Sequence, residues 1–284
     1  MNVLITGESG YIAKSLKAYL TSKFAESSFF LKSIRNNAIS NLYLNEVDVL
    51  IHLAALVHKK ETTDSEGLYY QVNTELTYQL AMKAKSAGVK QFIFFSTMAV
   101  YGDVQGEINY QTKLNPVTFY GKSKLAAEKK ILELQEEHFQ VAIVRPPMVY
   151  GPKCPGNYSL LSKLSRKTFV FPKVENKRSM LFINNLNEFI FQLIQYKESG
   201  IFHPQDPQYI NTSSMVREIS KVHGKFVYFN KLVGRVLKLL IGNKIIYKKV
   251  FGDLYYEREL SSYKDNSYQK FDFEQAIAIT EREK

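Results

Sequence analysis

A tyrosine and a lysine stand four apart in Tyr120-Gly121-Lys122-Ser123-Lys124, ahead of Leu125, Ala126, Ala127, Glu128, Ile131 and Leu132, which read as helix. If the helix already runs at Tyr120, both side chains project from one face with Cβ atoms roughly 6 Å apart. A free phenol titrates at about pH 10, too high to trade protons easily at neutral pH. A nearby ammonium favours the phenolate and brings the group towards the range where acid–base catalysis works. Two common residues at helical spacing also arise by chance, so the weight falls on what stands upstream.

Val3-Leu4-Ile5 is a short buried strand, and Thr6-Gly7-Glu8-Ser9-Gly10-Tyr11-Ile12-Ala13 turns from it into a helix. Ile12, Leu16, Tyr19, Leu20 and Phe24 give that helix one buried stripe. Gly7 permits the turn, Gly10 lets a diphosphate approach the backbone, and small Ala13 allows helix and strand to pack closely. The helix N-terminus offers free N–H groups to phosphate, which makes Gly7, Ser9, Gly10, Tyr11 and Ile12 dinucleotide-binding candidates. A second strand begins at Phe29 and runs on to Arg35. The acid that would hold ribose hydroxyls about twenty residues past the glycines is missing there. Ser33 and Arg35 occupy the place. An arginine suits a 2′-phosphate, so NADP(H) is favoured over NAD(H); the plainer reading of Arg35 is a solvated strand end.

Val47 to Ala55 is a further buried strand whose small end, Leu53-Ala54-Ala55, leaves room for a cofactor. The short segment before it suggests that one peripheral strand is reduced or missing. A helix follows from about Leu68 to Ala87, and Gly88 closes it; Asn73 within it either bonds backbone near the cofactor or faces solvent. Gln91 to Phe95 is another apolar strand running into Ser96-Thr97-Met98-Ala99-Val100-Tyr101-Gly102. Alternating buried strands and helices imply a parallel sheet with right-handed crossovers. Ligands bind beyond the carboxyl ends of such strands, where Gly7, Ala54, Ser96 and Thr97 all lie and where Tyr120 can join them. The fold class expected is α/β, a Rossmann-type doubly wound parallel sheet with a smaller C-terminal substrate lobe.

Composition narrows the classes. The 284 residues are 45% hydrophobic, enough for a full core. The single cysteine, Cys154, excludes an internal disulfide and fits a reducing compartment; it has no base nearby in sequence and reads as a bystander. No signal peptide is expected before the first strand, and no apolar run approaches the ~20 residues of a membrane span. A cytoplasmic protein is expected. His52, His58, His138, His203 and His223 show no metal-ligand spacing, so no metal is expected. The net charge of +11 points to an anionic partner.

The segments TGESGYIA, VLIHLAA, QVN, FFSTMAVYG, FYGKSK and RPPMVYGP occur in that order between residues 3 and about 152. Together they resemble the extended short-chain dehydrogenase/reductase family, also called NAD-dependent epimerase/dehydratases. Within it the chain is similar to capsule- and O-antigen-type 4-reductases of UDP-4-keto-6-deoxy-N-acetylhexosamines, through STMAVYG, RPPMVYG followed by CPGN, and HPQD near residue 203. The resemblance implies a catalytic set of Thr97, Tyr120 and Lys124. Tyr120 would give its proton to the C4 oxygen of a sugar as hydride arrives from the nicotinamide. Lys124 would lower the phenol pKa and hold the nicotinamide ribose, and Thr97 would hydrogen-bond the reacting oxygen. Ser96 and Pro147 would lie near the cofactor; Met98, Met148, Asn157 and Arg178 would touch substrate, the last two at its diphosphate.

Departures from the family pattern narrow the reaction. The 4,6-dehydratases carry an acidic pair directly after the catalytic threonine; here those positions are Met98 and Ala99. The GDP-fucose synthase type places a cysteine in that region, which Met98 also disfavours. Met148 stands where many relatives have an asparagine. What remains is reduction of a 4-keto sugar, with UDP-hexose 4-epimerisation as the alternative. A reading of another class is a non-catalytic nucleotide-sensing or RNA-binding member of the fold. It has only the basic composition in its favour, and no nucleic-acid partner is expected.

Residues 1–152, with 181–199 returning, are expected to form the dinucleotide domain; 153–180 and 200–284 the substrate lobe. Residues 232–250 mix Val236, Leu237, Leu239, Leu240 and Ile241 with Lys231, Arg235, Lys238, Lys244, Lys248 and Lys249. Such a stretch either packs on its own domain or lies peripherally on an anionic membrane. A UDP-linked sugar substrate and a homodimer are the remaining partner expectations.

Overall fold

The computed structural model describes residues 1–35, 39–57 and 61–283, with the backbone alone at 63, 241, 245 and 246. His58 lies outside them. The chain divides into two compact units: residues 1–103, 112–146 and 186–204 form the first, and 104–111, 147–185 and 205–284 the second.

The first unit is a six-stranded sheet. Its strands are β1 (Asn2–Thr6), β2 (Ser28–Lys32), β3 (Val49–His52), β4 (Gln91–Phe95), β5 (Gln140–Val144) and β6 (Gly200–Phe202). They lie in the order β6-β5-β4-β3-β1-β2, and every pairing is parallel. Sheets covered on both faces read as near-continuous apolar runs, and β3, β4 and β5 are apolar but for one terminal residue each, His52, Gln91 and Gln140. Side-chain direction alternates along each strand. Leu4, Leu50, Phe92, Phe94, Val141 and Ile143 therefore share one face, packed against Leu80, Ala81, Ala84, Ala127 and Ile131. Those five come from α2 (66–86) and α3 (Phe119–Leu132). The opposite face carries α1 (Tyr11–Lys23) and α4 (Ile183–Gln195), the latter belonging to this unit from Leu186 onward. Phe24 and Phe191 meet there with centroids 4.9 Å apart, Phe189 meets Phe202 at 5.9 Å, and Asn187 donates to Ser15 Oγ at 2.8 Å. This is the doubly wound Rossmann arrangement expected.

Strand order reverses direction between β1 and β3, the crevice where such sheets bind ligands. Among the described residues the short β2–β3 segment adds no strand outside β2. β2 ends at Lys32 rather than continuing to Arg35. Ser33 and Arg35 lie in irregular chain beyond it, where the Arg35 N–H bonds Ser33 Oγ at 3.4 Å and the Arg35 side chain is exposed.

The helix expected at 68–87 runs over 66–86, and Gln71–Glu75 winds as a π-turn within it. Asn73 sits in that turn, fully buried. π-turns cluster at functional sites because the extra residue re-aims side chains.

The second unit is built from three two-stranded parallel ribbons: Gly106–Ile108 with Leu254–Tyr256, Met148–Tyr150 with Met180–Phe182, and Val170–Pro172 with Tyr228–Asn230. Around them lie Asn157–Ser165, α5 (Thr212–Val222), α6 (Lys231–Ile241), α7 (Ile245–Phe251) and α8 (Phe273–Arg282). Buried carboxylates tie these pieces together. Asp206 accepts from Phe182 N at 2.9 Å and Asn185 Nδ2 at 2.8 Å, and Glu281 accepts from Tyr158 at 2.7 Å and Ser162 at 3.0 Å. The basic stretch 232–250 resolves into two helices broken after Gly242.

Candidate active site

Thr118 caps α3, its hydroxyl accepting from Gly121 N at 3.0 Å, so the helix already runs at Phe119. That start meets the condition for Tyr120 and Lys124 to share a face. On β4's carboxyl end, Thr97 caps the single 3-10 turn Met98–Tyr101 by accepting from Ala99 N at 3.1 Å. The two capped turns press together at Gly121, where a Cβ would stand 2.7 Å from the Ala99 carbonyl oxygen and 3.1 Å from Pro116 Cβ. Only glycine lets the first turn of α3 approach so closely. The result sets the turn that follows Thr97 directly against the turn that carries Tyr120.

Gly121→Ala is therefore expected to lower turnover about a hundredfold, since displacing the phenol by ~1 Å costs that much. The accompanying loss of stability is about 1–3 kcal/mol. Steady-state turnover compared with the urea midpoint checks it: turnover within threefold of wild type would show that the contact does not set the phenol's position.

The electrostatics differ from the motif's promise. Burial pushes the Tyr120 phenol up to about 12, outweighing the Thr97 hydrogen bond that pulls it down. Lys124 is 1% exposed, its ammonium 4.0 Å from the centroid of the Phe94 ring. Desolvation pulls it down to about 7, against the pull of Glu128 in the other direction. For both groups loss of hydration is the largest cause, and it favours the neutral form of each. Near neutral pH the ammonium is poised to give up or take a proton.

Asn73 holds the loop after β3 against α3. Its Oδ1 accepts from Leu56 N at 2.7 Å, and its Nδ2 donates to Leu56 O at 3.0 Å and Ser123 Oγ at 3.1 Å. Thr74 reinforces the join by donating to Ser123 O at 2.8 Å. Asn73 therefore acts through backbone positioning, between the Leu53–Ala55 loop and the segment carrying Tyr120 and Lys124. Below it, buried His52 bonds Thr6 at 2.7 Å and Thr77 at 2.9 Å, linking β3 to β1 and α2.

A dinucleotide fits the crevice between β1 and β3. Gly7 has φ +85, and a Cβ there would meet Ala54 N at 3.1 Å, so the β1 turn and the Ala54 loop touch backbone to backbone. Gly10 precedes α1 with no side-chain cap, leaving N–H groups of the first turn for phosphate. Gly7, Ser9, Gly10, Tyr11 and Ile12 line that start, and Leu53, Ala54 and Ala55 follow β3. The Leu53 and Ala54 N–H groups reach the Thr6 hydroxyl at 3.3 and 3.4 Å.

Ser96 is turned away from the crevice and donates to the Glu128 carboxylate. Glu128 is gripped by Arg145 in a two-pronged pair, Nε to Oε1 at 3.0 Å and Nη2 to Oε2 at 2.6 Å, with side chains 5% and 2% exposed. Arg145 also donates to Tyr101 at 2.9 Å, and Tyr101 meets His203 at 2.8 Å. This buried network was not foreseen. Its one sequence trace is an arginine ending the apolar run Val141–Val144.

Pro147, Met148, Asn157 and Arg178 belong to the second unit. Pro147 is buried, Met148 opens the ribbon with Met180, and Asn157 is exposed at the start of its helix. Arg178 donates from Nη1 to Gly252 O at 3.0 Å, and burial lowers its pKa. Among the described residues no cluster of three or more His, Cys, Asp or Glu side chains is placed to hold a metal.

Comparison with known proteins agrees with this geometry. Residues 3–203 match the model of the NAD dependent epimerase/dehydratase family. A UDP-glucose 4-epimerase of Vibrio cholerae is 32% identical over 248 residues, covering 77% of this chain and 75% of its own. An N-acetyl-alpha-D-glucosaminyl-diphospho-ditrans,octacis-undecaprenol 4-epimerase of Escherichia coli O157:H7 is 26% identical over 239 residues, covering 78% of this chain and 72% of its own. Among solved structures, the UDP-glucuronic acid 4-epimerase of Bacillus cereus superposes with a TM-score of 0.75 at 18% identity, covering 100% of this chain and 98% of that one. With its glycine turn, its β1–β3 crevice and this match over two-thirds of its length, the chain belongs to the NAD dependent epimerase/dehydratase family and is an NAD(P)-dependent sugar-nucleotide oxidoreductase or epimerase.

Proposed function

We propose that the chain inverts C4 of a UDP-linked hexose or N-acetylhexosamine, with Thr97, Tyr120 and Lys124 as its catalytic residues. The observation that carries this is the close packing, at Gly121, of the turn after Thr97 against the turn that holds Tyr120, with Met98 and Ala99 offering no acid or base. One proton-handling group serving one oxygen confines the chemistry to an alcohol–ketone interconversion at a single carbon. The likeness to the Vibrio cholerae 4-epimerase favours returning the carbon to the alcohol within the same turnover. A bound nicotinamide supplies the hydride acceptor and donor. Tyr120, as the phenolate, takes the C4 hydroxyl proton and gives it back at the end, and Thr97 hydrogen-bonds the same oxygen throughout. Lys124 charges and discharges beside them, offsetting phenolate charge as it forms. Gly7, Gly10 and the α1 N-terminus hold the diphosphate of the dinucleotide.

A second reading rests on Arg35. An exposed arginine just past β2 suits a 2′-phosphate, and NADP(H) would favour net reduction of a UDP-4-keto-6-deoxy-N-acetylhexosamine. The test is to incubate purified protein with UDP-glucose and UDP-N-acetylglucosamine, first without added cofactor and then with NAD, and follow C4 configuration by NMR. Formation of the C4 epimer supports epimerisation. Consumption of NADPH only with a 4-keto sugar supports the second reading, and turnover of neither overturns both.

A further inference from the structure

Helix α6 shows solvent an apolar face. Leu232, Val233, Val236, Leu239 and Leu240 are 66%, 41%, 55%, 86% and 70% exposed. At 100° per residue they form a single stripe centred on Val236. The helix is fixed by another side: a Cβ on Gly234 would stand 2.7 Å from Lys173 O, and Leu237 is half-buried. Asn230 caps it through Leu232 N and Val233 N. The stripe is thus held outward by a docked helix, where five large apolar side chains cost solvation.

The charge around it has one sign. Between Glu218 and Asp253 there is no acidic residue, and eight lysines and arginines from Lys221 to Lys249 are all exposed. On α6 itself, Lys231, Arg235 and Lys238 flank the stripe along one side. Immediately before the helix, Phe226 is 82% and Tyr228 56% exposed. They edge a groove of about 600 Å³ that Arg217, Lys221 and Lys225 also line. Glu218 reaches only Lys221 among these, at 3.5 Å. Outward aromatic and leucine side chains with cations beside them match the two layers of an anionic bilayer surface, acyl chains beneath phosphate headgroups.

We infer that α6, with Phe226, Tyr228 and the basic groove beside them, is a docking surface for an anionic lipid membrane. The helix lies in the plane of the interface with its leucines in the acyl boundary and its lysines at the phosphates. At 11 residues it spans about 16 Å, half of a ~30 Å hydrocarbon core, so it rests on the membrane rather than crossing it. α7 stays with the protein body: Tyr247 is buried and Phe251 packs on Phe171 at 6.1 Å. This inference is independent of which sugar the enzyme turns over.

Flotation of the full-length protein with vesicles tests it, using phosphatidylcholine alone and phosphatidylcholine containing a third phosphatidylglycerol. The protein is expected to float with the anionic vesicles and not with the neutral ones. Replacing Lys231, Arg235 and Lys238 together by Gln is expected to weaken binding about a hundredfold at low salt. Leu239→Glu with Leu240→Glu is expected to abolish it with an unchanged circular dichroism spectrum. Equal flotation with both vesicles, none with either, or full retention by the Glu variant overturns the inference. So does a wild-type dimer that the Glu variant splits without vesicle binding, which assigns the face to a second copy of this chain.

Discussion

Tyr120→Phe is expected to lower turnover by about 10²–10⁴-fold, the range that a positioned acid–base group contributes. KM should change little, because the aromatic ring is kept and only the proton-bearing oxygen is removed. The pH dependence sharpens the test. Lys124, pulled down to about 7, is charged below that pH and neutral above it. The charged form aids loss of the phenol proton. A titration near pH 7 in the wild-type rate that disappears in Lys124→Met would trace that limb to this ammonium. Turnover by Tyr120→Phe within tenfold of wild type would remove the phenol from the chemistry.

The second large effect is on stability. Glu128→Ala leaves the Arg145 guanidinium buried without its carboxylate, and breaking a buried pair by removing one partner costs about 3–5 kcal/mol. Glu128 also accepts from Ser96, so its loss unties α3 from the ends of both β4 and β5. The expectation is a lower urea midpoint for the sheet-bearing unit. Activity should fall further than stability alone explains, because Glu128 supports the charged form of Lys124 one turn earlier in α3. Glu128→Gln, which keeps one accepting oxygen but not the charge, should recover part of the stability and less of the activity. An unchanged midpoint for Glu128→Ala would mean that Arg145 finds solvent or another acceptor.

Much of the sheet was legible because burial on both faces leaves a plain mark. Val49–His52, Gln91–Phe95 and Gln140–Val144 hold almost no polar residue, and the glycine turn after β1 has few other uses. The start of α3 was left open by the spacing of Tyr120 and Lys124, and the Thr118 cap in the folded chain decides it. The π-turn at Gln71–Glu75 was not legible, since an added residue within a helix leaves the apolar spacing nearly unchanged. It is held by partners far along the chain, Leu56 and Ser123. The end of β2 at Lys32 was likewise hidden, because Ser33-Ile34-Arg35 alternates as an edge strand would.

The sequence by itself determined the architecture of the first unit, the crevice for a dinucleotide and the residues offered for proton transfer, because these follow from local patterns of size, polarity and turn-forming type. Tertiary structure alone decided how those residues behave. Glu128 reads as one more charge in Ala126-Ala127-Glu128-Lys129-Lys130, yet it is 1% exposed and paired with Arg145. Tyr120 and Lys124 titrate away from their ordinary values in opposite directions, up and down. The physical reason is common to both: desolvation depends on what the whole fold packs around a group, and no stretch of neighbours in sequence carries that information.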